Sequence, residues 1–74
     1  MSDLRDLQML VSLSRTKNFS RSALECNISQ PAFSTRIRKL EDRLKLPLVR
    51  RGNSFQGFTS EGEVVLKWAR KLLA

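Results

Sequence analysis

Histidine is missing from this chain of 74 residues, cysteine occurs once, and glycine and proline contribute only three and two residues. Without histidine the commonest general base is absent, and no nucleophile elbow or glycine-rich phosphate loop takes its place, so enzymatic activity is not expected. The lone Cys26 excludes an internal disulfide, and with no histidine it excludes a typical zinc finger; no metal and no cofactor are expected. Cys26 itself reads as a small packed hydrophobe in a reducing compartment. The longest apolar runs, such as Met9 to Val11 and Val64 to Leu66, are far too short to span a bilayer or to form a signal segment. A soluble, cytoplasmic domain without a membrane partner is the expectation.

What the chain does have is positive charge. Fourteen Lys and Arg against seven Asp and Glu give +7, which suits a polyanionic partner, although the same excess also serves solubility. The basic residues are spread along the sequence, so any patch must be assembled by folding. A chain of this size forms one small domain with a modest core, and it calls for a partner chain or a longer parent protein.

Asp3 can cap a first helix whose Leu4, Leu7, Leu10, Val11 and Ser14 share a mostly apolar face, with Asp6 suited to the positive N-terminal end. That helix should end near Lys17 and Asn18. Ser20 reads as the next N-cap, with Phe19 and Leu24 at the spacing of a hydrophobic staple, opening a short helix over about 21–26. Asn27, Ile28 and Ser29 leave room for a tight turn, with Ile28 placed to plug the corner.

The stretch 29–44 is the most informative. Phe33, Ile37, Leu40 and Leu44 recur at helical spacing as a narrow apolar stripe, while Pro31, Thr35, Arg38 and Asp42 line the back. Ser29 is a good N-cap and Pro31 falls in the first turn, where no intrahelical N–H is lost. Small and polar residues at this end permit close approach to another surface. Two helices joined by about three residues form the helix-turn-helix arrangement; the plainer alternative is an amphipathic surface helix whose basic residues are merely solvated. Leu48 to Arg51 and Phe55 to Phe58 can pair as a hairpin around Gly52-Asn53-Ser54, a wing that must lean on the helices. Ser60 with Glu63 reads as a capping box for a last helix, with Thr59 as a competing cap.

In register, these features resemble the N-terminal winged helix-turn-helix domain of LysR-type transcriptional regulators. Asn18 to Arg51 follows that family's Ser-Phe-x-x-Ala-Ala, Ser-Gln-Pro-Ala-Leu-Ser, Ile-x-x-Leu-Glu and Pro-Leu-Phe-x-Arg landmarks in order and spacing. Leu4-Arg5 and Thr59-x-x-Gly62 add weaker support. The chain departs from the pattern at Ser22, Cys26, Leu10 and Val49. It also places Lys45 at the usual glycine after the recognition helix, where a left-handed cap costs a non-glycine residue about 1 kcal/mol. Thr35 stands where many members carry a base-contacting arginine, and Ser54 where many carry a wing arginine.

The resemblance implies a mainly α winged helix-turn-helix, with the DNA-binding domain over 1–58 and a linker or dimerisation helix over 59–74. A recognition helix over 30–44 would enter the major groove and a wing over 48–58 would lie on the adjacent minor groove or backbone. The helix start brings Gln30, Pro31, Ser34 and Thr35 to base edges, with the cap residue Ser29 beside them in the DNA-binding set: Gln30 suits adenine, and Pro31 or the Thr35 methyl suits a thymine methyl. Arg38 is expected at a base or a phosphate and in an i, i+4 pair with Asp42, with Arg36 and Lys39 at phosphates and Arg50 and Arg51 at the wing. Glu41 is expected to make structural contacts.

In the last helix Val65, Trp68, Ala69 and Leu72 form one apolar stripe and Leu66 with Leu73 the edge of another. That surplus points to a homodimer, unless Trp68 only completes the monomer core; the resemblance implies an inverted-repeat operator for the dimer and a higher oligomer in a full-length parent. The resemblance further implies an absent effector-binding domain, with contact to RNA polymerase reserved for a full-length regulator. The rival from another class is a winged-helix protein-interaction module using the basic face, and RNA binding lacks an aromatic platform.

Overall fold

A computed structural model describes residues 3–74. Four helices and one hairpin follow in order: α1 (Asp3–Thr16), α2 (Phe19–Glu25), α3 (Gln30–Leu44), β1 (Val49–Arg51), β2 (Phe55–Phe58) and α4 (Ser60–Leu73). The capping expected of the Asp3 side chain falls outside the described part.

Because α1 packs against α2, α3 and α4 together, it is covered over a wider arc than one stripe. Met9, Leu10 and Leu13 are fully buried, Leu7 and Val11 pack at the edge, and Leu4, expected inside, is exposed. Asp6 is also inward-facing, at 3% exposure, rather than decorating the helix end.

The cap of α2 is Asn18, whose Oδ1 accepts from the Arg21 N–H at 2.9 Å, and not Ser20. The helix starts earlier because Phe19 is drawn into its first turn, edge-on to Phe33 at 6.2 Å and to Phe55 at 5.7 Å. Leu24 is 77% exposed, so the expected staple does not form. The turn bends through Asn27, at φ 60°, and Ile28 packs into the corner as expected.

Ser29 caps α3, accepting from the Ala32 N–H at 3.2 Å. Phe33, Ile37 and Leu40 fill the core, while Leu44, one turn further on, has run past it and is 43% exposed. The helix ends in a left-handed cap even without glycine: Lys45 sits at φ 57°, and its N–H donates to the Glu41 carbonyl.

The hairpin pairs Val49 with Phe58 and Arg51 with Phe55, with an irregularity between the two pairs. Thr59, and not Ser60, caps α4: its hydroxyl accepts from the Gly62 N–H at 2.9 Å and donates to the Pro47 carbonyl. Gly62 has no room for a side chain, because a Cβ there would lie 2.0 Å from the Leu48 carbonyl oxygen.

The inner face of α4 carries Leu66 and Ala69 into the monomer core, which removes both from the expected dimer seam. Trp68 goes the other way. It is 60% exposed and Leu72 67% exposed, so Trp68 does not complete the core; Val65 and Leu73 are half-buried.

Candidate nucleic-acid interface

The start of α3 is bare. Gln30, Pro31 and Thr35 are exposed, Ser34 is half-buried beside them, and Arg38 and Lys39 continue the exposed surface toward the middle of the helix. Steps of three and four residues link Pro31, Thr35 and Arg38 into one ridge and put Ser34 over Gln30. Ser29 is exposed beside them, but its hydroxyl is engaged as the cap. Asp42 ends the ridge, and no ion pair joins it to Arg38 among the described residues, contrary to the expected i, i+4 pair.

The hairpin flanks this ridge. Gln30 shares one hollow with Lys17, Asn18 and Ser20 from the α1–α2 junction and with Asn53 and Ser54 from the wing tip. Lys17, Asn18, Ser20 and Asn53 were not singled out from sequence as site residues. The available signal was that helix-capping and turn residues cluster at both places. Arg50 is exposed on β1.

Two expected contact residues are engaged within the protein instead. Arg36 donates from Nε and Nη2 to Asp6 Oδ1, at 3.2 and 3.0 Å, because α3 lies across the α1 face that carries this carboxylate. Arg51 donates from Nη1 to Glu41 Oε1 at 2.7 Å, and its Nε and Nη2 are buried too. Glu41 also accepts from the Leu48 and Val49 N–H groups at 2.7 and 3.1 Å, so one carboxylate ties α3 to the start of the wing. Its expected structural part is what the geometry gives.

On the opposite side a polar seam joins α1 to α2. Glu25 accepts from Arg15 at 2.6 and 2.9 Å and from Ser12 at 2.9 Å. The Arg15 hydrogen bonds, followed by the Ser12 hydroxyl, hold the Glu25 carboxyl at about 2, below its ordinary 4.5, and the same pair raises Arg15. Among the described residues no cluster of three or more metal-ligating side chains forms, and no helix is long and apolar enough to cross a membrane.

Two helices closing on a tight turn, with a hairpin behind the second, define a winged helix-turn-helix. Residues 4–63 match the model of the bacterial regulatory helix-turn-helix proteins of the lysR family, and the chain belongs to that family. Similar proteins include the hydrogen peroxide-inducible genes activator of Haemophilus influenzae, 45% identical over 71 residues that make up 96% of this chain and 24% of that protein. The SDS degradation transcriptional activation protein of a Pseudomonas strain is 42% identical over 99% of this chain and 24% of its own length. The chain thus spans about a quarter of the length of these curated relatives. Among solved structures, Vibrio fischeri DarR in complex with DNA superposes with a TM-score of 0.88, at 36% identity over 99% of this chain and 25% of that one. The BenM DBD in complex with catB site 1 DNA gives 0.88 at 33% identity, covering 97% of this chain and 77% of that one.

Proposed function

We propose that this chain is the DNA-binding domain of a bacterial LysR-type transcriptional regulator and that it reads double-stranded DNA with the start of α3. The observation that carries this reading is the bare ridge of Gln30, Pro31, Ser34, Thr35 and Arg38, flanked by a hairpin and set in a domain of charge +7. Gln30 offers both an acceptor and a donor to an adenine edge, Ser34 and Thr35 bond either strand, and the Pro31 ring and Thr35 methyl meet thymine methyls. Lys39 and Arg50 neutralise phosphates, with Arg38 at a base or a phosphate. Ser29 contributes by holding the helix start open rather than through its hydroxyl, and Arg36 and Arg51 act from inside the fold. Two solved relatives are complexes with DNA, which supports the DNA-binding reading.

The reading is non-catalytic and cytoplasmic, with residues 1–58 as the binding unit and 59–74 as a linker and dimerisation helix. Two copies would set their α3 helices about 34 Å apart on an inverted repeat. In a full-length regulator an effector-binding domain and RNA polymerase are the further partners.

Selection of tight binders from a random-sequence duplex library, followed by titration of a selected duplex and an RNA hairpin over a range of salt, tests this. The expected outcome is duplex preference, with a log–log salt slope of about −0.9 for each phosphate neutralised. A flat salt response, or equal binding to the RNA hairpin, would overturn it, the former favouring a protein-interaction module.

A further inference from the structure

Asp6 is nearly shut off from solvent, yet it holds two cations of the helix that faces outward. Its Oδ1 accepts from Arg36 and its Oδ2 accepts from Arg43 Nη2 at 2.7 Å, so both carboxylate oxygens are spent on α3. Arg36 and Arg43 stand seven residues apart, two turns along one face, and the guanidinium groups are each more than a third exposed. They close a shallow hollow with Asp6 at its floor and Lys39 at its rim. Asp6 stands three, four and seven residues before Met9, Leu10 and Leu13, on the buried face of α1.

We infer that Asp6 limits sequence-independent DNA affinity by withholding Arg36 from the phosphate backbone; this rests on the DNA-binding reading above. Arg36, in the second turn of the recognition helix, would otherwise be attracted to the phosphates of any duplex. To recruit Arg36, a phosphate must strip it from a buried carboxylate and leave that charge poorly compensated, a cost that surface phosphate contacts do not repay. The pair is partly buried, so salt that screens the exposed Lys39 and Arg38 weakens it far less. The positive charge that touches DNA is thereby reduced to the side chains that also stand beside base edges.

The test is the salt slope for a random-sequence DNA duplex, measured on the 74-residue chain and its variants, with helicity recorded for each. Asp6→Asn keeps the side-chain shape and releases Arg36. Each arginine recruited steepens the slope by about 0.9, which makes the affinity loss over a fourfold rise in salt about 3.5-fold larger. Adding Arg36→Gln to Asp6→Asn returns the slope by one such step. Arg36→Gln alone leaves the parent slope unchanged. A folded Asp6→Asn variant with a slope no steeper than the parent overturns the inference. If Asp6→Asn does not fold, Arg36→Gln alone decides, because a slope shallower by about 0.9 would mean that Arg36 already sits on a phosphate. A parent chain with no salt-dependent duplex binding would instead overturn the DNA reading itself.

Discussion

At the scale of single residues, similar side chains divide into those that face outward and those that hold the fold, and the division follows their partners. Gln30 is exposed and its side chain makes no hydrogen bond among the described residues. Gln30→Ala should therefore leave stability unchanged, cost about 1–3 kcal/mol on a selected duplex and cost much less on a random one, as read by competition titration. Glu41 is the opposite case. Its carboxylate satisfies two backbone donors and the inward-turned Arg51, so Glu41→Ala should lower unfolding stability by about 3 kcal/mol, measured from the urea midpoint. The Ser29 cap and the exposure of Gln30 and Thr35 were legible in the sequence because caps and exposed helix starts are local features. The fates of Arg36 and Arg51 were not legible, since Arg36 meets a carboxylate 30 residues away and Arg51 one 10 residues away. An arginine in a basic chain looks the same in sequence whether it faces a phosphate or a buried acid.

Among the elements, α3 and the hairpin were read within a residue or so, because a proline in the first turn and a glycine-bearing turn between two short strand-forming runs leave little choice. The α1 face was misjudged for a physical reason. Apolar residues fill most of its turns, and which of them are buried is decided by three packing partners that arrive later in the chain. Lys45 shows packing overruling a local preference: the left-handed cap is kept because the chain must turn at once into Pro47 and β1. The α1–α2 seam makes a pH-dependent contribution. Folded Glu25 titrates at about 2 against an ordinary 4.5, so between these values the native state binds fewer protons than the unfolded one. The contribution is fully present above about pH 4.5 and is lost as pH falls toward 2. Acid titration of helicity for the parent and Glu25→Gln should show the variant with a flatter decline in that window. A small difference is expected, since the pair is solvent-exposed.

For the whole molecule the unresolved balance is apolar surface. Leu4, Leu44, Val64, Trp68 and Leu72 are all exposed, and Trp68 borders a hollow shared with Leu7, Leu40 and Leu44 between α1, α3 and α4. A domain this small loses solubility by leaving a tryptophan and several aliphatic residues bare, and a second copy meeting α4 outer face to outer face would cover them. The seam differs from the one read off the sequence stripe. Leu66 and Ala69 are committed to the monomer core, so substitution there would unfold the chain and say nothing of assembly. Trp68 and Leu72 lie one turn apart on the outer face, with half-buried Val65 and Leu73 at its margins. Sedimentation from micromolar concentrations upward should therefore show a dimer for the parent chain and a monomer of unchanged helicity for the Trp68→Glu, Leu72→Glu double variant. A parent chain that stays monomeric throughout that range would remove α4 as the seam of the isolated domain.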